Sequence, residues 1–128
     1  MVNPELMKTV TRDYLVYSAA DIIAHSIEGY FTAAVQPNFQ NRLVESIIKT
    51  VIETTGILLE NPEDYTARAE FAWAATQALN GLTTSGTAGF SYPNHTIEHA
   101  ISADYNATAW RRSVGCHSCM DEVVSPTE

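Results

Sequence analysis

Residues 12–31 read RDYLVYSAADIIAHSIEGYF, and this stretch decides the fold. Leu15, Ala19, Ile22, Ile23, Ser26, Ile27 and Tyr30 recur at three- and four-residue steps, the period of a buried helix face. Asp21 and His25 lie four residues apart inside it. On a helix that spacing puts both side chains on one face, one turn apart.

The neighbouring segments read as helices too. Asn3-Pro4-Glu5 supplies a cap, a proline for the first helical position and an acidic first turn, so a short helical turn is predicted there. Phe39 to Leu59 is amphipathic: Leu43, Ile47, Val51 and Leu58 with Val44, Ile48 and Ile52 form the apolar stripe, and Arg42, Glu45, Lys49 and Glu53 take other faces. Asn61-Pro62 stops it. A third helix is predicted from about Pro62 to Leu82, capped by Asn61, with Glu63 and Asp64 in its first turn. Its Phe71, Ala72, Ala75, Ala78 and Leu79 are small or apolar, which suits a central helix. Thr83 to Pro93, with Gly86 and Gly89, reads as a loop, and Asn94 to Asn106 as a last helix carrying Ile97 and Ile101 on one side. No segment sustains period-two alternation. The predicted fold class is all-α, a bundle of about four main helices.

Composition narrows the function. The chain has 128 residues, with 7 Lys and Arg against 15 Asp and Glu, and a net charge of −8. Without a basic patch to neutralise phosphates, no nucleic acid is expected as a partner. No apolar run reaches membrane-span length and no secretory signal opens the sequence, so the expectation is no membrane and a cytoplasmic location. Cys116-His117-Ser118-Cys119 is a lone C-x-x-C, lacking both a second pair for a zinc site and a βαβ context for redox chemistry. No Ser-His-Asp order, catalytic carboxylate pair or G-x-G-x-x-G stands out.

Chemistry concentrates in two pairs, Asp21 with His25 and His95 with His99. Two helices offering carboxylate and imidazole to one point suit a divalent cation of the zinc or ferrous type. A buried polar cluster without metal accounts for the same residues. Glu28 and Glu98 read as solvated charges, and Tyr30, Phe71, Trp73 and Tyr105 as core or pocket wall.

Three ordered stretches resemble a known family. Ala20 to Tyr30, ADIIAHSIEGY, resembles the Asp-x-x-x-His helix of the iron-containing (group III) alcohol dehydrogenases. Asn61 to Leu82 looks like the butanol-dehydrogenase branch of that family. His95-Thr96-Ile97-Glu98-His99 through Ser102-Ala103-Asp104-Tyr105-Asn106 resembles the next signature, H-x-x-x-H followed by a small residue and Tyr-Asn. The resemblance covers roughly residues 1–108. It implies that Asp21, His25 and His95 stand at three of four metal-ligand positions. It places His99 in the active-site pocket as a catalytic group. The implied cofactors are Fe²⁺, with Zn²⁺ as the alternative, and NAD(P), and the implied reaction is reversible hydride transfer with an alcohol or aldehyde.

Family members of this kind pair a nucleotide-binding α/β domain with a helical metal domain. Residues 1–108 correspond to part of the second, and 109–128 form a non-family tail expected to be disordered. The fourth ligand, a histidine in a Thr/Ala-His-Gly-x-Gly stretch, falls at Ala109, where Trp110-Arg111-Arg112 follows instead. A reading-frame slip is one explanation. Removing one base near Thr108-Ala109 allows the tail to be reread as THGAGLSVVIPAWMKWYR, with a histidine at position 109. The TGG codon of Trp110 then forces a glycine, and Met120-Asp121 a tryptophan. A divergent natural tail is the alternative.

On these grounds the chain is expected to be an inactive piece of such an enzyme, with apolar helix faces able to drive self-association. A non-catalytic helical module with weak metal binding is the competing class. A metal-dependent helical hydrolase fits less well, because the adjacent His-Asp pair of such enzymes is missing.

Overall fold

The computed structural model describes residues 3–105 of the chain, apart from the side chains of Ser102, Asp104 and Tyr105. The expectations for Cys116, Cys119, Ala109 and the tail fall outside those residues. Within them the fold is all-helical. A short 3₁₀ turn over Pro4–Met7 precedes α1 (Arg12–Thr32), α2 (Asn38–Glu60), α3 (Tyr65–Leu79) and α4 (Pro93–Tyr105). None of these helices is long and apolar enough to cross a membrane.

Helix α1 is buried on two faces. Leu15, Ala19, Ile22, Ser26 and Gly29 form one stripe, and the first three join the main core. Asp21, Ala24, His25 and Glu28 follow the same period rotated by roughly 100° about the axis. The first stripe packs on α2 and α3, while α4 packs against α1. One helix thus serves both the core and a polar face.

In α2 the buried stripe is Val44, Ile47, Val51, Thr54 and Leu58. It is narrower than the sequence pattern suggests, since Ile52 is exposed and borders an outward hollow with Glu45, Ile48, Lys49 and Glu53. In α3 the buried Ala67, Ala72, Ala74 and Ala78 let its axis approach α1 and α2 closely, with Phe71 filling the centre. Trp73 departs from the predicted core or wall position: it is 61% exposed, at the rim of the α2–α3 groove. Tyr30 is half-buried, and its hydroxyl donates to Glu45 Oε1 at 3.1 Å.

The start of α3 also corrects the sequence reading. Asn61 closes α2, and its Oδ1 accepts from Glu63 N at 3.3 Å, while Asp64 caps α3 by accepting from Ala67 N at 2.9 Å. Both side chains can satisfy free helix N–H groups. The one nearer the apolar run captures them, and residues 61–64 become the turn. The helix ends at Leu79, three residues early, as Asn80 Oδ1 accepts from Leu82 N and Gly81 takes a φ of 83°. Arg68 is buried and holds this corner to the N-terminal turn, donating to the carbonyls of Met7 and Pro62.

The α3–α4 loop lies along the end of α1. Ala34 N donates to Gly89 O at 3.0 Å, Val35 N to Thr87 O at 2.9 Å, and Ser91 N to Thr32 Oγ1 at 3.0 Å. Gly29 makes this possible: a Cβ there would sit 2.9 Å from Thr84 Cγ2. The loop therefore delivers α4 to one place on α1.

Candidate metal centre

That place is the second stripe of α1. Asp21 and His25 face the first turn of α4, and His95 reaches them from it. Oδ2 of Asp21 is 3.7 Å from His25 Nε2, and Oδ1 is 3.5 Å from His95 Nε2. The two imidazole rings lie 4.2 Å apart between centroids, tilted by 45°. One donor atom from each of the three residues falls within 4.8 Å of the others, and all three are partly buried.

The electrostatics suit ligation. Burial pushes the His25 imidazole pKa below its ordinary range, against the upward pull of Asp21, which favours the neutral ring that can act as a ligand. Nε2 of His95 is buried and finds no hydrogen bond among the described residues; the approach to Asp21 is electrostatic only. A buried polar atom left without a partner is costly in a native fold. Asp21, His25 and His95 would hold a divalent cation that takes up this lone pair, so the donor set fits a metal of the Fe²⁺ or Zn²⁺ kind.

Tyr92, just before α4, walls the cluster, its ring 5.6 Å from His25 and 5.5 Å from His95. Burial raises its phenol pKa, with Glu28 adding to the effect. Phe90 stacks edge-on against Tyr92 at 5.2 Å. His99 is elsewhere. One turn further along α4, its side chain is 75% exposed, with Nδ1 3.7 Å from Glu98 Oε2. Both members of the first pair thus lie beside His95, and His99 stands apart from them.

Sequence reasoning missed Glu28. Far from being a solvated charge, it is 6% exposed, its Oε1 is hydrogen-bonded to His95 Nδ1, and its Oε2 accepts from Asn94 N at 2.8 Å. Glu98, the other supposed surface charge, is buried as well. The signal for Glu28 was present, because it stands seven residues after Asp21 and three after His25, on their face. Tyr92 left no such signal.

The family profile described as "Fe-containing alcohol dehydrogenase family, C-terminal" matches residues 15–109. The chain belongs to the Fe-containing alcohol dehydrogenase family. NADH-dependent butanol dehydrogenase B of Clostridium acetobutylicum is 37% identical over 108 residues, which is 84% of this chain and 27% of that protein. The NADPH-dependent aldehyde reductase YqhD of Escherichia coli is 34% identical over 103 residues, covering 80% of this chain and 26% of that protein. Among solved structures, NADH-dependent butanol dehydrogenase A of Thermotoga maritima superposes with a TM-score of 0.76 at 38% identity. The match covers 84% of this chain and 27% of that one. This Fe-containing alcohol dehydrogenase sequence thus spans about a quarter of the length of the relatives it matches. Asp21, His25 and His95 all lie inside the stretch matched by the family profile.

Proposed function

We propose that this chain is the metal-holding part of an NAD(P)-dependent alcohol or aldehyde dehydrogenase, with Asp21, His25 and His95 as its metal ligands. The observation that carries this is the convergence of those three donors within 4.8 Å around a buried, unpartnered His95 Nε2. When bound, a divalent cation there supplies Lewis-acid polarisation of a substrate oxygen. Asp21 brings the one formal negative charge of the donor set, and the neutral imidazole of His25 offers a lone pair. Tyr92 and Phe90 keep water from one side, and His99 faces outward as a pocket group for a small alcohol or aldehyde. The reaction is alcohol plus NAD(P)⁺ giving aldehyde, NAD(P)H and a proton, or its reverse. Relatives bear both NADH and NADPH in their names, so the nicotinamide choice is left as NAD(P). Fe²⁺ is the metal proposed, with Zn²⁺ as the alternative.

The seat for the nicotinamide is assigned to segments outside these 128 residues, and a fourth ligand to the position that Ala109 occupies, beyond the described part. A frame slip near Thr108 accounts for the tail, with natural divergence as the other reading. The chain alone is therefore expected to turn over no substrate, to bind neither nucleic acid nor membrane, and to reside in the cytoplasm. Purified chain with Fe²⁺ or Zn²⁺, NAD(P)H and butyraldehyde should show no nicotinamide oxidation, whereas metal binding, measured with Cys116 and Cys119 replaced by serine, should vanish in Asp21→Ala and His95→Ala. Robust turnover refutes the first statement. Binding that survives both substitutions refutes the site. Sequencing the flanking DNA decides the tail: codons that cannot yield the reread peptide exclude the slip.

A further inference from the structure

Glu28 is a buried carboxylate for which ligation by Asp21, His25 and His95 leaves no role. It bonds adjacent residues of another helix, accepting from Asn94 N at 2.8 Å and sharing a hydrogen bond with His95 Nδ1. Residue 94 follows Pro93, so its N–H is one of those that a helix start leaves unbonded. Tyr92, at the capping position of α4, has no short polar side chain to take that N–H. The cap comes from α1 instead, as an anion at the positive end of the α4 dipole.

The second oxygen acts on His95. An ionised Glu28 can only accept, which puts the proton on Nδ1, and in the neutral ring Nε2 then holds the lone pair. Nε2 is the atom that lies beside Asp21 and His25 with no hydrogen bond. We propose that Glu28 is a positioning residue: it caps α4 from α1 and fixes His95 in the Nδ1–H tautomer, aiming the Nε2 lone pair at the Asp21–His25 face. Its consequence for metal affinity rests on the metal reading above, while the tautomer does not. Glutamine is the informative replacement. Its single acceptor oxygen serves Asn94 N or His95 Nδ1 but not both, and its NH₂ group opposes the other.

The test uses the full chain with Cys116 and Cys119 replaced by serine, so that tail thiols take no metal. In the metal-free protein, at a pH where the ring is neutral, ¹⁵N-resolved imidazole NMR should find His95 protonated at Nδ1. Glu28→Gln should lose that preference, and Zn²⁺ affinity, measured by competition with a chromophoric chelator, should fall by about 10–100-fold. Asp21→Asn should weaken Zn²⁺ binding about a hundred-fold yet keep the Nδ1–H tautomer, which separates positioning from ligation. A metal-free wild type with His95 protonated at Nε2 overturns the proposal without any variant, so a misfolded Glu28→Gln leaves it decidable. An unchanged tautomer and affinity in folded Glu28→Gln overturns it as well. A Glu28-dependent tautomer in a chain that binds no Zn²⁺ or Fe²⁺ upholds the positioning role and refutes the metal reading.

Discussion

Substituting Asp21 by asparagine tests the site through stability, with no need for turnover. A ligand that binds only the folded chain raises its stability by RT ln(1 + [L]/Kd), about 2.7 kcal/mol at a free metal concentration a hundred times Kd. For a chain of 128 residues one kcal/mol moves Tm by about 4 °C, so wild type should gain about 10 °C. The asparagine side chain would keep the shape but remove the only formal charge among the three donors, whose carboxylate oxygens lie 3.5 and 3.7 Å from the two imidazoles. An affinity loss of about a hundred-fold brings the same metal concentration to the variant's Kd, where the gain is about 0.4 kcal/mol, or roughly 2 °C. Without metal the two proteins should melt within about 1 kcal/mol of one another, since asparagine keeps the shape and the carboxylate makes only ion-pair approaches of 3.5 and 3.7 Å to the imidazoles. The assay is a far-UV circular dichroism melt with Zn²⁺ in air and Fe²⁺ under argon, in the Cys116→Ser, Cys119→Ser background. His99→Ala, removing a side chain 75% exposed and outside the cluster, should respond to metal as wild type does. A wild-type Tm indifferent to both metals, or an equal gain in Asp21→Asn, refutes the reasoning.

Three further outcomes check the fold, and a fourth the surface. Gly56 is helical, and a Cβ there meets nothing within 4 Å, so Gly56→Ala should stabilise by about 1 kcal/mol in denaturant unfolding. Gly29→Ala makes the same helix-propensity gain but drives a methyl to 2.9 Å from Thr84, and should come out destabilising. Asp64→Ala removes the bond to Ala67 N and should cost about 1 kcal/mol, measured as a lower urea midpoint at an unchanged slope; no loss would return the cap to Asn61. Phe31, Phe39 and Trp73 are all exposed, so the chain should self-associate with rising concentration in sedimentation velocity, and a monomer throughout would remove that expectation.

The bundle was legible because helical period and caps are local properties, and α1 and α2 end within a residue or two of where the pattern places them. The error at α3 was local too. Asn61 and Asp64 are both competent caps, and choosing between them depends on which N–H groups come within reach once α2 has ended. From spacing alone the site was readable in half. Asp21 and His25 share one helix, so their spacing fixed their common face whatever the tertiary fold. His95 and His99 satisfy the same rule on α4, yet the rule is blind to where a second helix crosses the first. That crossing is set by a close approach at Gly29 and by the loop hydrogen bonds of Thr32, Ala34 and Val35, none of which has a periodic signature. Glu28 fell to the same blindness in reverse. A glutamate one step from a histidine is most often a solvated charge, and only the arrival of α4 turns it into a buried partner for Asn94 N and His95 Nδ1. What α1 carries on its second stripe is therefore a site specified from one side, waiting on topology to supply the other.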